Sequence, residues 1–371
     1  MEVTIDRNEL LKAVSRVQSI IEKRSNMPIL STILLTAEDG HIYLSATDLE
    51  ISIQQKLSAK VVDSGSITLP GRKLFEMAKE SKGSVIHIKE KENNRIFVTD
   101  EKARYNLPSL SADEFPLFVE PEDVVSVEVD THVLREMINK TIFSVTMDEA
   151  GFKLSGVYTE KVALKGKTYL RMVSTDGHRL SMIDKEIKNI EGIEIESGIM
   201  VPKKGMAELL KLTSEGETII LGFKKNNCVA KKENCVIVIR LLESRFPDYN
   251  AVIPQKSTCK VQIERDSIFE CMKRMMILTD ENYRGVKITL DHNTMELASN
   301  HPDLGDAQDN LEVQYEGERL EMGFNAKYFI DVLQAMESEV VELAFIDDSS
   351  PCVLTGSADK GFLGLIMPMR I

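Results

Sequence analysis

The feature that most constrains this chain is a repeat: landmarks in its first third return in its second at a nearly fixed offset. Arg72 and Lys203 stand 131 positions apart, Thr47 and Thr175 stand 128 apart, and Phe115 and Phe246 stand 131 apart. Unrelated landmarks holding one register point to tandem duplication. Such a chain solves one packing problem several times, so its copies can be read against each other.

Two kinds of helical pattern alternate along it. The first sets Leu10, Leu11, Val14, Val17, Ile20 and Ile21 on one stripe over 7–21, the spacing of an amphipathic helix. Related patterns occupy 131–143 and 266–278. The second kind follows a Pro or Asn, at 69–81, 201–214 and 324–337. Pro70 and Pro202 end strand-like runs and suit a helix start. Between the two kinds lie alternating apolar and polar runs at 41–53, 168–183 and 294–307, which read as strands. Thr47-Asp48 and Thr175-Asp176 fall at a turn, and Ser299-Asn300 is expected in that slot of the third copy.

Each module therefore reads helix, strands, helix, strands. The fold class is α+β, three tandem copies with antiparallel sheets that bury one face. The expected domains are 1–122, 123–254 and 255–371, with linkers near 122–126 and 254–258. Modules in a row leave terminal faces unsatisfied, which invites stacking or ring closure.

A length of 371 residues suits two or three domains, and 43% apolar residues can fill their cores. A net charge of −13 argues at first against a phosphate ligand. Its distribution argues the other way. The six helical stretches together carry +8, which leaves −21 for everything else. Any one basic helix is explained as a solvated face, but five of the six share the sign. Basic helices on one side and acidic strands on the other would draw a polyanion to one face only. Lys12, Arg16, Lys79, Lys153, Lys211, Lys273 and Arg274 are candidates for such contacts. No aromatic interleaving or groove-reading motif points to base recognition.

Signals for chemistry are thin. Asp176 and His178 could form a catalytic pair, but no nucleophile or third member accompanies them. Asp and Gly in Thr175-Asp176-Gly177-His178 read instead as a turn or part of a docking surface. Gly71-Arg72-Lys73 lacks the glycines and Ser/Thr of a P-loop. His41, His87, His132, His292 and His301 are scattered, and the five cysteines form no CxxC pair, so no metal, disulfide framework or cofactor is expected. Lys224–Asn227 reads as a hairpin turn. The N-terminal stretch is too charged for a signal peptide, and no apolar run nears the ~18 residues of a membrane span. A cytoplasmic, non-catalytic protein is expected.

The most distinctive segments are NMPILSTILL (26–35), LPGRKLFEMAKE (69–80), STDGHRLSMI (174–183), VPKKGMAELLKL (201–212), RFPDYNAVIP (245–254), YRGVKITL (283–290), GFNAKYFIDVL (323–333) and MPMRI (367–371). With these the chain resembles, along its whole length, the bacterial sliding clamps, the β subunits of the replicative DNA polymerase III. The resemblance implies the DNA clamp fold: a head-to-tail homodimer closing into a six-domain ring, twelve helices inside and antiparallel sheets outside. It further implies sequence-independent encirclement of double-stranded DNA. Its cleft would take short peptides from the polymerase catalytic subunit, the clamp loader and other proteins.

Positions matching that cleft are Leu154, Thr175, Gly177, His178, Arg179 and Leu180 in the second copy, with Pro247 and Val252 after it. In the third copy they are Tyr283, Asn325, Tyr328, Pro351, Leu365, Met367, Pro368, Met369 and Arg370. Ala251 stands where some members carry a basic residue. The methionines suit a surface that adapts to several ligands. Matching DNA positions are Arg24, Arg72, Lys203 and Lys204. At the ring interface Tyr105 and Leu107 would meet Ile277 and Leu278 of the partner. Lys73 and Arg104 would pair with Asp303, Asp306 and Asp309. The competing reading is an acidic oligomeric scaffold that binds peptides without DNA.

Overall fold

The computed structural model describes residues 1–22, 26–146, 154–195, 197–214, 216–279 and 284–370. The first repeat runs β1 (Glu2–Asp6), α1 (Arg7–Val17), β2 (Thr32–Glu38), β3 (His41–Thr47), β4 (Ile51–Asp63), β5 (Gly65–Pro70), α2 (Gly71–Glu80), β6 (Val85–Lys91), β7 (Arg95–Thr99) and β8 (Arg104–Pro108). The second runs β9 (Ser126–Asp130), α3 (Thr131–Asn139), β10 (Gly156–Leu164), β11 (Lys167–Thr175), β12 (Arg179–Lys185), β13 (Ile199–Pro202), α4 (Lys203–Leu212), β14 (Thr218–Lys224), β15 (Asn227–Lys232) and β16 (Cys235–Arg240). The third runs β17 (Cys259–Glu264), α5 (Arg265–Met275), β18 (Gly285–Asp291), β19 (Thr294–His301), β20 (Gly305–Glu312), β21 (Leu320–Asn325), α6 (Ala326–Ala335), β22 (Val340–Phe345), β23 (Cys352–Gly356) and β24 (Phe362–Ile366).

The three copies share one element order. Each also opens with a short strand that the helix-first reading did not include. These strands alternate: Val3 and Ile5, Val127 and Val129, and Val261 and Ile263 are buried, with more exposed residues between them. The backbone N–H of the next residue then donates to the residue before the sixth strand of the copy. The three bonds are Arg7 to Ser84 O (2.9 Å), Thr131 to Glu217 O (2.9 Å) and Arg265 to Glu339 O (2.8 Å).

Strand pairing repeats as well. In each copy the second strand pairs with the third and fifth, and the third with the fourth. The first pairs with the sixth, the sixth with the seventh, and the seventh with the eighth. Every pairing is antiparallel, as the alternating runs imply. The Pro or Asn that precedes each second helix sits at one register position: Pro70 opposite Thr32, Pro202 opposite Gly156 and Asn325 opposite Gly285.

The chain divides into two compact units. One comprises Met1–Thr131, Gly192–Glu194 and Lys211–Leu241 and holds a 12-stranded sheet. There β4 continues into β16, with Ile53 opposite Ile237, and α1 packs on α2. The stripe foreseen on α1 is fully buried at Leu10, Val14 and Val17, each such side chain contributing about 1.5–3 kcal/mol. The other unit comprises His132–Glu191, Ile195–Leu210 and Leu242–Ile371 and holds an eight-stranded and a four-stranded sheet. There β12 continues into β24, with Ser181 opposite Gly364, and α5 packs on α6.

One assignment shifts by a residue. Ser174 Oγ donates to Thr141 O at the end of the first helix, and Ser299 Oγ donates to the matching Met275 O. Ser299 is therefore the counterpart of Ser174, and Asn300 takes the place of Thr175. The pairs Thr175–Leu180 and Asn300–Asp306 agree. A one-residue slip reverses which face a strand residue occupies, so the buried serine decides the register. The hairpin at Lys225, with φ of 51°, joins β14 to β15 as expected. All five cysteines are free. Among the described residues no helix is long and apolar enough to cross a membrane.

Candidate functional site

The second repeat carries an unusual sheet face. Side chains alternate across β11, so Ser174 points to the helix end while Arg171, Val173 and Thr175 take the opposite face. Two register rows there are mostly apolar: Tyr158, Val173 and Met182, then Thr175, Leu180 and Leu365. The segment 245–252 folds back onto them. Phe246 stacks on Tyr158 with ring centroids 4.8 Å apart, and Tyr249 meets Phe246 edge-on at 6.2 Å. Val173, Leu180, Tyr249 and Leu365 form the buried cluster beneath.

What stays open is a groove of about 700 Å³. Its floor and walls come from Leu154, residues 175–180, residues 245–249, Val252, Leu365 and Met367. Of the cleft positions expected from the resemblance, Leu154, Thr175, Gly177, His178, Arg179, Leu180, Pro247, Val252, Leu365 and Met367 come together there. Tyr283 lies outside the described residues. Asn325 caps α6 by accepting from Lys327 N at 2.9 Å, and Pro351 and Pro368 are half-buried beyond the lining. Met369 and Arg370 line a separate hollow of about 550 Å³ with Lys287, Ala298, Asn300 and Asp306. Asp176, Arg245, Phe246, Asp248 and Tyr249 also line the groove but were not singled out as site residues. The repeated Phe-Pro at 115–116 and 246–247 was the signal that could have found the last four.

The turn at 175–179 is held by its own side chains. Thr175 Oγ1 accepts from Gly177 N (3.1 Å) and donates to Arg179 O (2.6 Å). Asp176 Oδ1 accepts from His178 N (3.0 Å) and Arg179 N (3.1 Å). Gly177 adopts φ of +87°, where a side chain is strained. The first repeat makes the same turn with Asp48, at the cost of Leu49 at φ of 73°. Asp176 Oδ2 accepts from Arg179 Nε at 2.9 Å. The carboxylate thus serves the turn and the guanidinium, not the imidazole of His178.

Arg179 is more enclosed than a rim residue would be. Its guanidinium also reaches Asp331 (2.6 Å) and Phe143 O (2.8 Å) and lies over the Tyr328 ring at 4.6 Å. The positive charge facing the groove falls instead to exposed Arg245, with exposed His178 beside it.

The basic candidates differ in setting. Lys12, Lys79, Lys204 and Lys211 are exposed, and Lys211 Nζ donates to Ser19 Oγ. Arg16 reaches Gln55 Oε1 at 3.2 Å. Arg72 donates to Ile21 O at 3.4 Å while its Nε is buried without a partner. Lys203 Nζ donates to Val145 O at 3.2 Å, and burial, then the charge of Arg179, holds its pKa below the ordinary lysine value. Lys273 pairs with Glu270 (3.0 Å) and Arg274 with Asp309 (2.8 Å). Arg24 and Lys153 lie outside the described residues.

Two edges complete the picture. Among the described residues β8 pairs only with β7, and β20 only with β19. Arg104 is exposed and Tyr105 and Leu107 are half-buried on β8. Near β20, Ile277 is 73% exposed and Leu278 half-buried. Within the chain Asp309 is held by Arg274, and Lys73 by Glu76 at 2.7 Å.

Three family models match in succession: the N-terminal domain of the DNA polymerase III beta subunit over residues 1–119, its central domain over 128–248 and its C-terminal domain over 250–370. The beta sliding clamps of Caulobacter vibrioides and Vibrio cholerae are 33% and 31% identical, covering 100% of both chains. The crystal structure of the Thermotoga maritima beta subunit superposes with a TM-score of 0.91 at 30% identity, over 100% of this chain and 99% of that one. The chain belongs to the beta sliding clamps, the non-catalytic processivity subunits of DNA polymerase III.

Proposed function

We propose that two copies of this chain close head to tail around duplex DNA and hold other replication proteins through the groove at 175–180. The observation that carries the ring is the junction rule inside the chain. In both internal junctions the fourth strand of one copy pairs with the eighth strand of the next, β4 with β16 and β12 with β24. Extended once more, the rule pairs β20 with β8 of a second chain. The same register, with Ile53 opposite Ile237 and Ser181 opposite Gly364 in the two junctions, supports a proposed pairing of Ala307 with the other chain's Tyr105. A strand-to-edge contact of unlike surfaces closes into a ring when the rotation closes. Two such contacts use every open edge of this kind.

In this reading the domains are 1–122, 123–254 and 255–371, and the protein works in the cytoplasm. Arg24, Arg72, Lys203 and Lys204 supply weak, exchangeable phosphate contacts, and encirclement supplies the lifetime. The groove presses Leu or Phe anchors of an extended peptide against Leu180, Leu365 and Val252, the interface logic of a few apolar anchors. Loading onto nicked circular DNA is the test. Retention on the circle and release on linearisation are expected. A formed dimer that no closed circle retains would leave the scaffold reading in its place.

A further inference from the structure

The back wall of the groove hangs on a row of charged groups that only the second repeat carries. Glu160, Arg171 and Asp184 stand side by side across β10, β11 and β12, on the face opposite Ser174. Arg171 grips Asp184 with two nitrogens, Nε to Oδ1 at 2.6 Å and Nη2 to Oδ2 at 2.7 Å. Its Nη1 donates to the Tyr249 hydroxyl at 3.1 Å, and that hydroxyl donates to Glu160 Oε1. Tyr249 is 5% exposed and lines the groove. The matching row is Thr36, Tyr43 and Lys56 in the first repeat and Thr289, Glu296 and Asn310 in the third. The first linker has Phe118, without a hydroxyl, at the position of Tyr249.

Ring stacking alone sets a segment against a sheet without fixing where along it the segment stops. A buried hydroxyl between a guanidinium and a carboxylate does fix it, since charge-assisted hydrogen bonds are short and directional. We propose that Tyr249, through its hydroxyl and with Glu160 and Arg171, latches the segment 245–252 in place and so positions the groove for its peptide. The three are positioning residues. The inference rests on the peptide-groove reading and adds which residues preorganise it. A wall fixed in advance spares the ligand the cost of ordering it, which is felt as affinity.

Tyr249→Phe removes the hydroxyl and keeps the ring, and Glu160→Gln removes the charge and keeps the size. The probe is a short fluorescein-labelled peptide with adjacent Leu and Phe, added to the intact protein. Each variant is expected to bind it about tenfold more weakly, by faster dissociation, with thermal unfolding unchanged. The double variant should lose no more than the worse single. Amide hydrogens of 246–252 should exchange faster in Tyr249→Phe without any peptide. Wild-type affinity and wild-type exchange in Tyr249→Phe overturn the latch, as does a loss that appears only with a lowered unfolding temperature. If the wild-type protein itself ignores the peptide while Tyr249→Phe still speeds exchange, the latch stands and the docking reading falls.

Discussion

The second and third repeats have the same strands in the same order, yet they differ in two places where packing of the sheet on its helices does not dictate the residue. The outer row of the second repeat is Tyr158, Val173 and Met182, followed by Leu180, whereas the third has Lys287, Ala298 and Gln308, followed by Asp306. The fourth strand of the second repeat, β12, is sealed by β24, whereas that of the third, β20, is open. The inner faces had to stay apolar to fold, while the outer faces and end strands were free to diverge. One copy thereby offers a groove and the other an edge, and neither needed a new fold.

The open edge predicts the largest effect. Ile277→Ala with Leu278→Ala removes the exposed and the half-buried apolar residue beside β20, and large-to-small changes in a buried contact cost about 2–5 kcal/mol each. Sedimentation should find the dimer of the proposed ring in the parent and monomers in the variant, and an unchanged dimer would reject this edge as the interface. The register is tested separately by Tyr105→Cys with Ala307→Cys. A short bismaleimide should then join two chains into a covalent dimer, while Tyr105→Cys with Asn310→Cys should join far fewer.

The groove comes next. Leu180→Asp gives the second repeat the residue type that the third has at Asp306, and an unpaired carboxylate in a desolvated groove costs several kcal/mol. Peptide affinity should fall by a hundredfold or more. Because Leu180 is buried, Val252→Asp at the 42% exposed lip serves as the variant that leaves folding alone, with a smaller loss expected. The reciprocal Asp306→Leu should create no peptide binding, since Lys287 and Gln308 remain. Binding gained at Asp306→Leu would mean that one residue, not the whole face, separates the two repeats.

Much of this was legible beforehand because it follows from period and punctuation. Helical stripes, Pro70 and Pro202 before helices, and the Thr-Asp turns each bear on local geometry that residue type controls. The short strands β1, β9 and β17 were missed because five or six residues of alternation are too brief to stand out beside the helix that follows. The counterpart of Thr175 was placed a residue early, at Ser299 instead of Asn300, because an Asn and a Ser look alike in a turn, and only the bond to Met275 O tells the faces apart. By residue type alone Arg179 belongs at a wet rim, because charged residues usually stay exposed. Asp331 and Tyr328, 152 and 149 positions away in the chain, draw it inward, and no local pattern encodes such a partner.

The sealed junction of the second and third repeats should also leave a small acid signature that an open edge lacks. Lys140, 1% exposed, lies 2.7 Å from both Glu136 and Asp359, and Lys185 reaches Glu136 at 2.6 Å. Burial alone would raise the Asp359 carboxyl, but Lys140 and Ser338 outweigh it and hold the pKa below the ordinary 3.8. Glu136 is likewise held below 4.5, where burial is outweighed by Lys140 and Lys185. Both carboxylates therefore add stability that is complete above their unfolded values and fades as the pH falls through the depressed folded ones. Lys140 has the opposite sign: its pKa is raised above 10.5, because Asp359 and Glu136 outweigh its burial, so its share is lost only at high pH. Denaturant unfolding should show a plateau through neutral pH and a decline below about pH 4. Asp359→Asn should lower the plateau and make the decline shallower, by at most about 1.4 kcal/mol per pH unit for one proton. An equal decline in both proteins would assign the acid response to carboxylates away from this junction.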